Sequence, residues 1–256
     1  MRNSLSLLAI SAALSGSAAL AQTPAAPELV VNTYTTGGQF APSLSMDARG
    51  NFVVVWNSIL QDGSGSGVFG QRFDAAGVRV GGEFLLNNTT PGQQLAATVA
   101  VARRGDFVVV WEDQYGDVDI KARRYTRSGV ALGAEFRVNA YSTGAQRFPS
   151  VTFDAAGNFV MVWGSAHDDG LGGVFGRRFG ASGNPIGAEF AVNTYTPGFQ
   201  GDPHVIGTAG GGFVVVFRGD DGSDYLHARR FDAGGAPIGA EFSVTTSGDG
   251  FAPAAA

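Results

Sequence analysis

Short apolar runs, each bounded by glycine, asparagine or aspartate, dominate the pattern of the chain. In the run from Phe159 to Trp163, successive side chains point to opposite faces of an extended strand, yet all of them are apolar. A strand with two apolar faces must be covered on both sides. The pattern therefore predicts β-strands packed between layers, with no helix after residue 21. Leu95 to Arg104 is alanine-rich enough for a helix, but its place in the repeat described next predicts a strand.

The apolar run belongs to a repeat that occurs four times. A Gly-x-Phe start leads into Val-rich sequence and an aromatic residue, with Phe52, Phe107, Phe159 and Phe213 spaced by 55, 52 and 54 residues. Two further markers keep the same order. They are an Arg-aromatic pair (Arg72, Arg124, Arg178 and Arg230) and a Glu-Phe pair (Glu83, Glu135, Glu189 and Glu241). The approximate repeats are 28–83, 84–135, 136–189 and 190–245.

Each repeat predicts four antiparallel strands, a to d. In the third copy these are Ser150 to Phe153, Phe159 to Trp163, Val174 to Phe179 and Glu189 to Asn193. Repeated four-stranded units of about fifty residues, covered on both faces, are typical of β-propeller blades. We therefore predict an all-β protein, a β-propeller with four blades of four antiparallel strands.

The two ends of the repeat region allow two ways of closing the ring. Glu28 to Thr35 is an extra copy of strand d before the first strand a, and Glu241 to Thr245 is another copy at the far end. Either end would complete a ring by pairing across the seam, which favours a closed monomer. The alternative is a half-ring that dimerises into eight blades.

The first 21 residues have the pattern of a secretory signal peptide. A short positive start at Arg2 precedes an apolar stretch and the small-x-small site Ala19-Leu20-Ala21. We expect cleavage near Ala21, a single domain over 22–256, and a secreted or periplasmic product with no membrane insertion.

Composition and charge exclude several classes of protein. There is no cysteine, so disulfide scaffolds, thiol catalysis and cysteine-bearing zinc sites are excluded. The net charge is −5, and Lys121 is the only lysine. Without a basic cluster, a nucleic-acid partner is not expected.

Alternating strands place the b–c and d–a loops on one face, called the loop face below, and the short a–b and c–d turns on the other. Function on such scaffolds is carried by loops. As ligand-binding residues we predict Asp113 and Asp117 with the repeated glutamines Gln39, Gln94, Gln146 and Gln200. The alternative is that the glutamines tie loops to neighbouring blades and the aspartates form turns.

Acidic b–c loops predict a weak Ca²⁺ site. Carboxylates on glycine-rich loops suit a cation that tolerates irregular oxygen geometry. The candidate ligands are Asp62, Asp168, Asp169, Asp220 and Asp221, with Asp113 and Asp117 in the equivalent loop.

Two other residue types favour structural roles. The arginine of strand c is expected to pair with the glutamate that opens strand d of the same hairpin. The histidines, His167, His204 and His227, occur in single copies without metal-ligand spacing and are predicted on surfaces or loops.

The repeat consensus resembles repeats of bacterial secreted and surface-attached proteins. Its residues are Gly-Asn-Phe-Val-Val-Val-Trp (50–56), Gly-Val-Phe-Gly-Arg-Arg-Phe (173–179) and Pro-Ile-Gly-Ala-Glu-Phe (185–190). The resemblance covers nearly the whole mature chain. It implies an adhesin-like, extracellular binding or structural module, with no catalytic activity common to the group.

Two functions follow from these patterns. The first is a non-catalytic module that binds a glycan or an extracellular protein surface through the loop face. The alternative is a small propeller hydrolase or lyase that acts on polysaccharide. Acidic residues that recur in every blade favour binding, and no catalytic residue is assigned.

Overall fold

The computed structural model describes residues 28–166, 172–220 and 225–244. Every named element in these residues is a β-strand, and they form four sheets of four antiparallel strands. The prediction of an all-β propeller with four blades is confirmed. The described part of the chain contains no helix long and apolar enough to cross a membrane. The predicted signal peptide lies outside the described residues.

Each blade follows chain order. Blade 1 contains β1 (Gln39–Met46), β2 (Phe52–Ile59), β3 (Ser66–Phe73) and β4 (Phe84–Leu85). Blade 2 contains β5 (Gln94–Val101), β6 (Phe107–Asp113), β7 (Asp119–Tyr125) and β8 (Phe136–Arg137). Blade 3 contains β9 (Gln146–Phe153), β10 (Phe159–Ser165), β11 (Gly173–Phe179) and β12 (Pro185–Ala191). Blade 4 contains β13 (Gln200–Gly207), β14 (Phe213–Gly219), β15 (Tyr225–Phe231) and β16 (Phe242–Ser243). The alanine-rich segment that begins at Leu95 is strand β5, as its place in the repeat predicts.

In blades 1 and 3 an aspartate side chain organises the backbone of the tight turn between strands a and b. Asp154 accepts hydrogen bonds from the backbone N–H groups of Ala156 (2.8 Å) and Asn158 (2.9 Å). Gly157 then closes the turn at φ +86°, a conformation that glycine adopts without a steric cost.

The core lies between blades. Val53 and Val55 of blade 1 belong to one buried cluster with Val99 and Trp111 of blade 2. Equivalent clusters join blade 2 to blade 3 and blade 3 to blade 4. In blades 2 and 3 the two apolar faces of strand b are thus covered by neighbouring sheets, which is the physical reason for the stacked architecture.

The extra copy of strand d lies against blade 1. Val31 is buried with Trp56 and Phe73, and the backbone N–H of Thr33 donates to Glu83 Oε2 at 2.7 Å. Segment 28–35 therefore occupies, on blade 1, the place that the outer strand of a preceding blade would have.

The predicted Arg–Glu pairs within one hairpin are wrong. Arg124 donates to the backbone oxygen of Ala181 in the next blade at 2.5 Å. Glu135 accepts from the backbone N–H of Asn88 in the preceding blade at 2.8 Å. Each side chain satisfies an otherwise unpaired backbone group across a blade interface, whereas a pair on one exposed hairpin gains little.

The prediction that the histidines lie on surfaces or loops is wrong for His227. It lies in β15, buried beside Phe217, with its Nδ1 3.4 Å from Glu241 Oε1. His204 lies in β13 and is partly buried. His167 lies outside the described residues.

Candidate functional site

The innermost strands of the four blades share one backbone irregularity. The a strands β1, β5, β9 and β13 pack side by side along the array. Near its start on the loop face, each shifts register against strand b. The bulged residue has a positive φ although it is not glycine: Ala41 (51°), Ala96 (51°), Phe148 (54°) and Asp202 (49°). Such strained positions concentrate at functional sites.

The blades differ chemically at this rim. The bulge carries alanine in blades 1 and 2, phenylalanine in blade 3 and aspartate in blade 4. The residue after the b-strand aromatic also differs from blade to blade, being Asn57, Glu112, Gly164 and Arg218. We use the term inner-rim cluster for Glu112, Arg147, Phe148, Phe199, Asp202 and Arg218.

Glu112 is the anchor of one side of the cluster. It is 2% exposed, and its Oε1 accepts the backbone N–H of Phe148 at 2.8 Å. Gln114 Nε2 donates to Oε2 at 3.2 Å, and an Arg147 guanidinium nitrogen lies 3.7 Å from the same oxygen. Glu112 therefore fixes the bulge of blade 3 and orients Arg147.

Asp202 forms the other side, next to Arg218 and His204. Burial raises the pKa of Asp202, and the nearby Arg218 and His204 offset part of that rise. Burial also lowers the pKa of His204, and Asp202 offsets part of that fall. Arg218 lies over the Phe199 ring, 5.4 Å from its centroid. The result is a carboxyl group that keeps its proton to a higher pH than an exposed aspartate does.

A cavity of about 180 Å³ opens between blades 3 and 4 on the loop face. Its lining includes Arg147, Phe148, Phe199 and Gly201. It is smaller than the roughly 300 Å³ at which pockets for whole small molecules begin. It is therefore too small to enclose a whole small molecule of that kind.

A larger cavity, of about 570 Å³, lies on the opposite face between blades 2 and 3. Turn residues form much of its lining, together with Arg124, whose guanidinium group already binds the backbone of Ala181 and Leu132. We place the candidate site at the inner rim because its charged groups are not required by the repeat.

The four predicted ligand-binding glutamines are buried, which contradicts a role in direct ligand contact. Trp56 Nε1 donates to Gln39 Oε1 at 3.0 Å, and Trp163 Nε1 donates to Gln146 Oε1 at 3.1 Å. Gln94 bonds Asp113 at 3.2 Å, and Gln200 bonds the backbone oxygen of Pro197 at 3.3 Å. The alternative, that these side chains tie loops to blades, describes their contacts.

Asp113 is a strand residue rather than a loop ligand. It is buried at the end of β6, where Lys121 Nζ lies 2.6 Å from Oδ2. Burial lowers the pKa of Lys121, but Asp113 and Glu135 raise it more, so the net pKa lies above the ordinary value. The pair thus places a buried charge next to its counter-charge, inside the fold.

The remaining predicted aspartates do not form a cluster in the part of the chain that the structure describes. Asp117 and Asp220 are exposed, and Asp62 accepts the backbone N–H of Ser64 at 3.1 Å. Asp168, Asp169 and Asp221 lie outside the described residues. Among those described, no group of three or more histidine or acidic side chains is placed to hold a metal ion. Calcium binding stays a prediction.

The sequence pattern does not reveal the inner-rim cluster. The repeat is defined by residues that the blades share, whereas the cluster consists of positions at which the blades differ, such as Phe148 and Asp202. Aligning the four a strands residue by residue shows these differences, although the bulge that exposes them is a feature of the folded backbone.

Several solved structures share the fold of this chain at low sequence identity. A protein of unknown function from Dyadobacter fermentans superposes with a TM-score of 0.56 at 12% identity, over 83% of this chain and 70% of its own. A Hadza microbial sialidase superposes with a TM-score of 0.56 at 9% identity, over 77% of this chain and 45% of its own. An α-L-arabinofuranosidase from Lactobacillus brevis has a TM-score of 0.48 at 14% identity, over 78% of this chain and 74% of its own. No protein-family model and no curated protein matches the chain.

Proposed function

We propose that this protein hydrolyses a polysaccharide that binds across the inner-rim cluster. Asp202 donates its proton to the leaving glycosidic oxygen, while water adds to the anomeric carbon and returns a proton to Asp202. The observation that carries the proposal is the loss of fourfold repetition at the rim. Positions required by the fold recur in every blade, whereas the carboxyl of Asp202 and the guanidinium of Arg218 occur once. Single charged groups on a repeated scaffold point to a specific ligand.

The chemistry follows from the environment of Asp202. Burial raises the pKa of its carboxyl group, so a larger fraction is protonated near neutral pH than in an exposed aspartate. A protonated carboxyl group can donate its proton to the leaving oxygen of a glycosidic bond. Phe148, 44% exposed, offers a flat apolar surface on which a sugar ring can pack.

A second function, a non-catalytic glycan-binding module of an adhesin-like exoprotein, is favoured by Glu112. Glycoside hydrolysis ordinarily uses two carboxyl groups. Both oxygens of Glu112 are engaged, by the Phe148 N–H on one side and by Gln114 and Arg147 on the other. In this alternative the cluster holds the sugar without breaking it. Both functions fit the predicted export from the cytoplasm.

The test separates binding from cleavage on one panel of neutral and acidic polysaccharides. Binding is measured by retardation in affinity gels, and cleavage by the release of reducing ends. We expect Asp202→Asn to lower cleavage at least about 100-fold, as loss of a general acid does, while the gel retardation persists. Phe148→Ala should weaken retardation. Asp106→Asn, at an exposed carboxylate on the opposite face, is the control and should change neither.

The outcomes are distinct. If the native protein is retarded in the gels but releases no reducing ends, it is a binding module and the proposed hydrolase activity is excluded. Product release that is unchanged in Asp202→Asn would exclude Asp202 as the proton donor. The absence of both retardation and product on every polysaccharide would reject the inner rim as a glycan site.

A further inference from the structure

The three blade interfaces inside the chain repeat one apolar arrangement. Valines of strand b in one blade pack on an aliphatic residue in strand a of the next blade. The pairs that share a buried cluster are Val55 with Val99, Val110 with Val151, and Val162 with Val205. The equivalent pair across the seam, from blade 4 to blade 1, would be Val216 with Leu44.

The blade 1 side of that seam is open near the axis. Leu44 is 41% exposed, whereas its counterparts Val99, Val151 and Val205 are 6%, 8% and 7% exposed. Met46 on the same strand is also exposed. Segment 28–35 covers Trp56 and Phe73 farther from the axis but leaves Leu44 in solvent.

The blade 4 side is open as well. Val214 and Val216 are only partly buried, although their counterparts in the other three blades are buried. Val244 is 52% exposed, whereas Leu86, Val138 and Val192 at the same position are fully buried. Each end of the array thus presents one half of the interface that occurs three times inside it.

A polar contact accompanies every internal interface. The strand-c arginine of one blade lies against a glycine in the c–d turn of the next blade. A methyl group at that glycine would lie 2.8 Å from Arg72 (Gly129), 2.6 Å from Arg124 (Gly183) and 2.7 Å from Arg178 (Gly235). The same arginines donate to backbone oxygens of these turns, those of Arg127 (3.0 Å), Ala181 (2.5 Å) and Ala233 (2.6 Å).

Both halves of this contact are unused at the seam. Arg230, the fourth arginine, is exposed, and its guanidinium group makes no hydrogen bond to any of the described residues. Gly77, the fourth glycine, has φ +79° and no arginine against it; a methyl group there would meet Leu29 at 4.0 Å. A donor and its receiving turn are therefore both present on one molecule, at opposite ends of the array.

We propose that blade 4 of one copy docks on blade 1 of a second copy, with Val216 on Leu44 and Arg230 on the turn at Gly77, and that two copies close a ring of eight blades. The occupant is a second copy because the two open faces match each other residue by residue. A head-to-tail contact of this kind either closes or polymerises, and eight blades lie within the range that propellers adopt. The proposal does not depend on the activity proposed above.

In the dimer, segment 28–35 of one copy and β16 of the other would compete for the same place between blade 4 and blade 1. Val31 already fills on blade 1 the site that Val244 of the second copy would need. Segment 28–35 is held by the bond from Thr33 to Glu83, whereas β16 has only two residues, both exposed. We therefore expect segment 28–35 to stay and to pair with β15 of the second copy, displacing residues 242–244.

The test uses the purified full chain, which has no native cysteine. Sedimentation velocity should give twice the monomer mass. Leu44→Glu should convert the dimer into monomer without unfolding it, because Leu44 is already in solvent in the single chain. Val130→Glu, at an apolar side chain of similar size that is 61% exposed but lies in a c–d turn, should leave the dimer intact. Arg230→Ala should weaken the dimer in the same assay.

Cross-linking fixes the geometry. A mixture of Leu44→Cys and Val216→Cys chains should form a disulfide-linked pair under oxidation, while each variant alone should not. Val55→Cys with Val99→Cys in one chain is the internal control. A monomer in sedimentation, a disulfide within one doubly substituted Leu44→Cys/Val216→Cys chain, or a ladder of species larger than the dimer would each overturn the two-copy ring.

Discussion

Trp163 and Gln146 are joined by a buried hydrogen bond, 3.1 Å from the indole nitrogen to the amide oxygen, between strands b and a of blade 3. Blade 1 has the same bond between Trp56 and Gln39. In blade 2 the Trp111 nitrogen has no partner among the described residues. The difference arises because Gln94 instead accepts from Asn87 and donates to Asp113.

The Trp163–Gln146 bond should contribute measurably to stability. Gln146→Leu leaves a buried indole N–H without a partner, so we expect a loss of about 1–3 kcal/mol in the free energy of unfolding. Trp163→Phe combined with Gln146→Leu removes both polar partners and should cost less than the sum of the two single changes. Urea denaturation of all three variants measures this. If the losses in the free energy of unfolding of the two single variants simply add up in the double variant, the two side chains do not stabilise the fold through this bond.

The ion pair of Asp113 and Lys121 should be replaceable. Blade 1 carries Ser58 and Phe69 at these positions, and blade 3 carries Ser165 and Phe175. Lys121→Phe alone leaves a buried carboxylate without its counter-charge and should cost about 3 kcal/mol. Asp113→Ser with Lys121→Phe should recover that loss and free Gln94 to accept from Trp111. Thermal denaturation of the single and double variants is the measurement, and a double variant no more stable than Lys121→Phe would refute the argument.

Asp202 should lower stability at neutral pH. Because burial raises its pKa in the folded state, the folded protein binds this proton more tightly than the unfolded chain. The resulting penalty is absent well below the unfolded pKa of about 3.9 and grows as the pH rises through the folded pKa. Asp202→Asn should therefore raise the melting temperature at pH 7 and leave it unchanged at pH 3. Asp117→Asn, at an exposed side chain, is the control for the chemical change itself. A melting temperature of Asp202→Asn below that of the native protein at pH 7 would contradict the prediction.

Calcium should stabilise the fold if the b–c loops bind it. Binding to the folded state alone raises the melting temperature as the calcium concentration exceeds the dissociation constant, expected at about 10⁻⁴ to 10⁻³ M for an extracellular module. The measurement is a melt of EDTA-treated protein across a calcium series to about 10 mM, ten times the weaker limit. Matched NaCl is the control, and Asp62→Asn should reduce the shift. A shift no larger than that in NaCl would assign these aspartates to turns.

Local chemistry made the blades predictable. Apolar side chains on both faces of strand b require cover above and below, and Asp-x-x-Gly turns such as Asp154 to Gly157 fix where strands a and b reverse. These signals are carried by neighbouring residues, and the strands lie where the repeat places them. The fourfold spacing then leaves few architectures beyond stacked four-stranded sheets.

The candidate site was less accessible to sequence reasoning. The repeated glutamines looked like ligand contacts because side-chain chemistry alone does not reveal burial. Gln146 is buried against Trp163, whereas Phe148, two residues later, is turned out by a bulge. Only the register of strand a against strand b determines which of these neighbours meets solvent.

The sequence by itself determined the class of fold, the number of blades and the position of every turn between strands a and b. The tertiary structure decided which groups the repeated residues contact and which of them are buried. Arg124 reaches Ala181 in the next blade rather than the glutamate of its own hairpin, and Leu44 is open where Val99 is buried. The physical reason is that a repeat specifies the same contacts for every blade, whereas a finite array leaves the first and last copies without the neighbour that those contacts require.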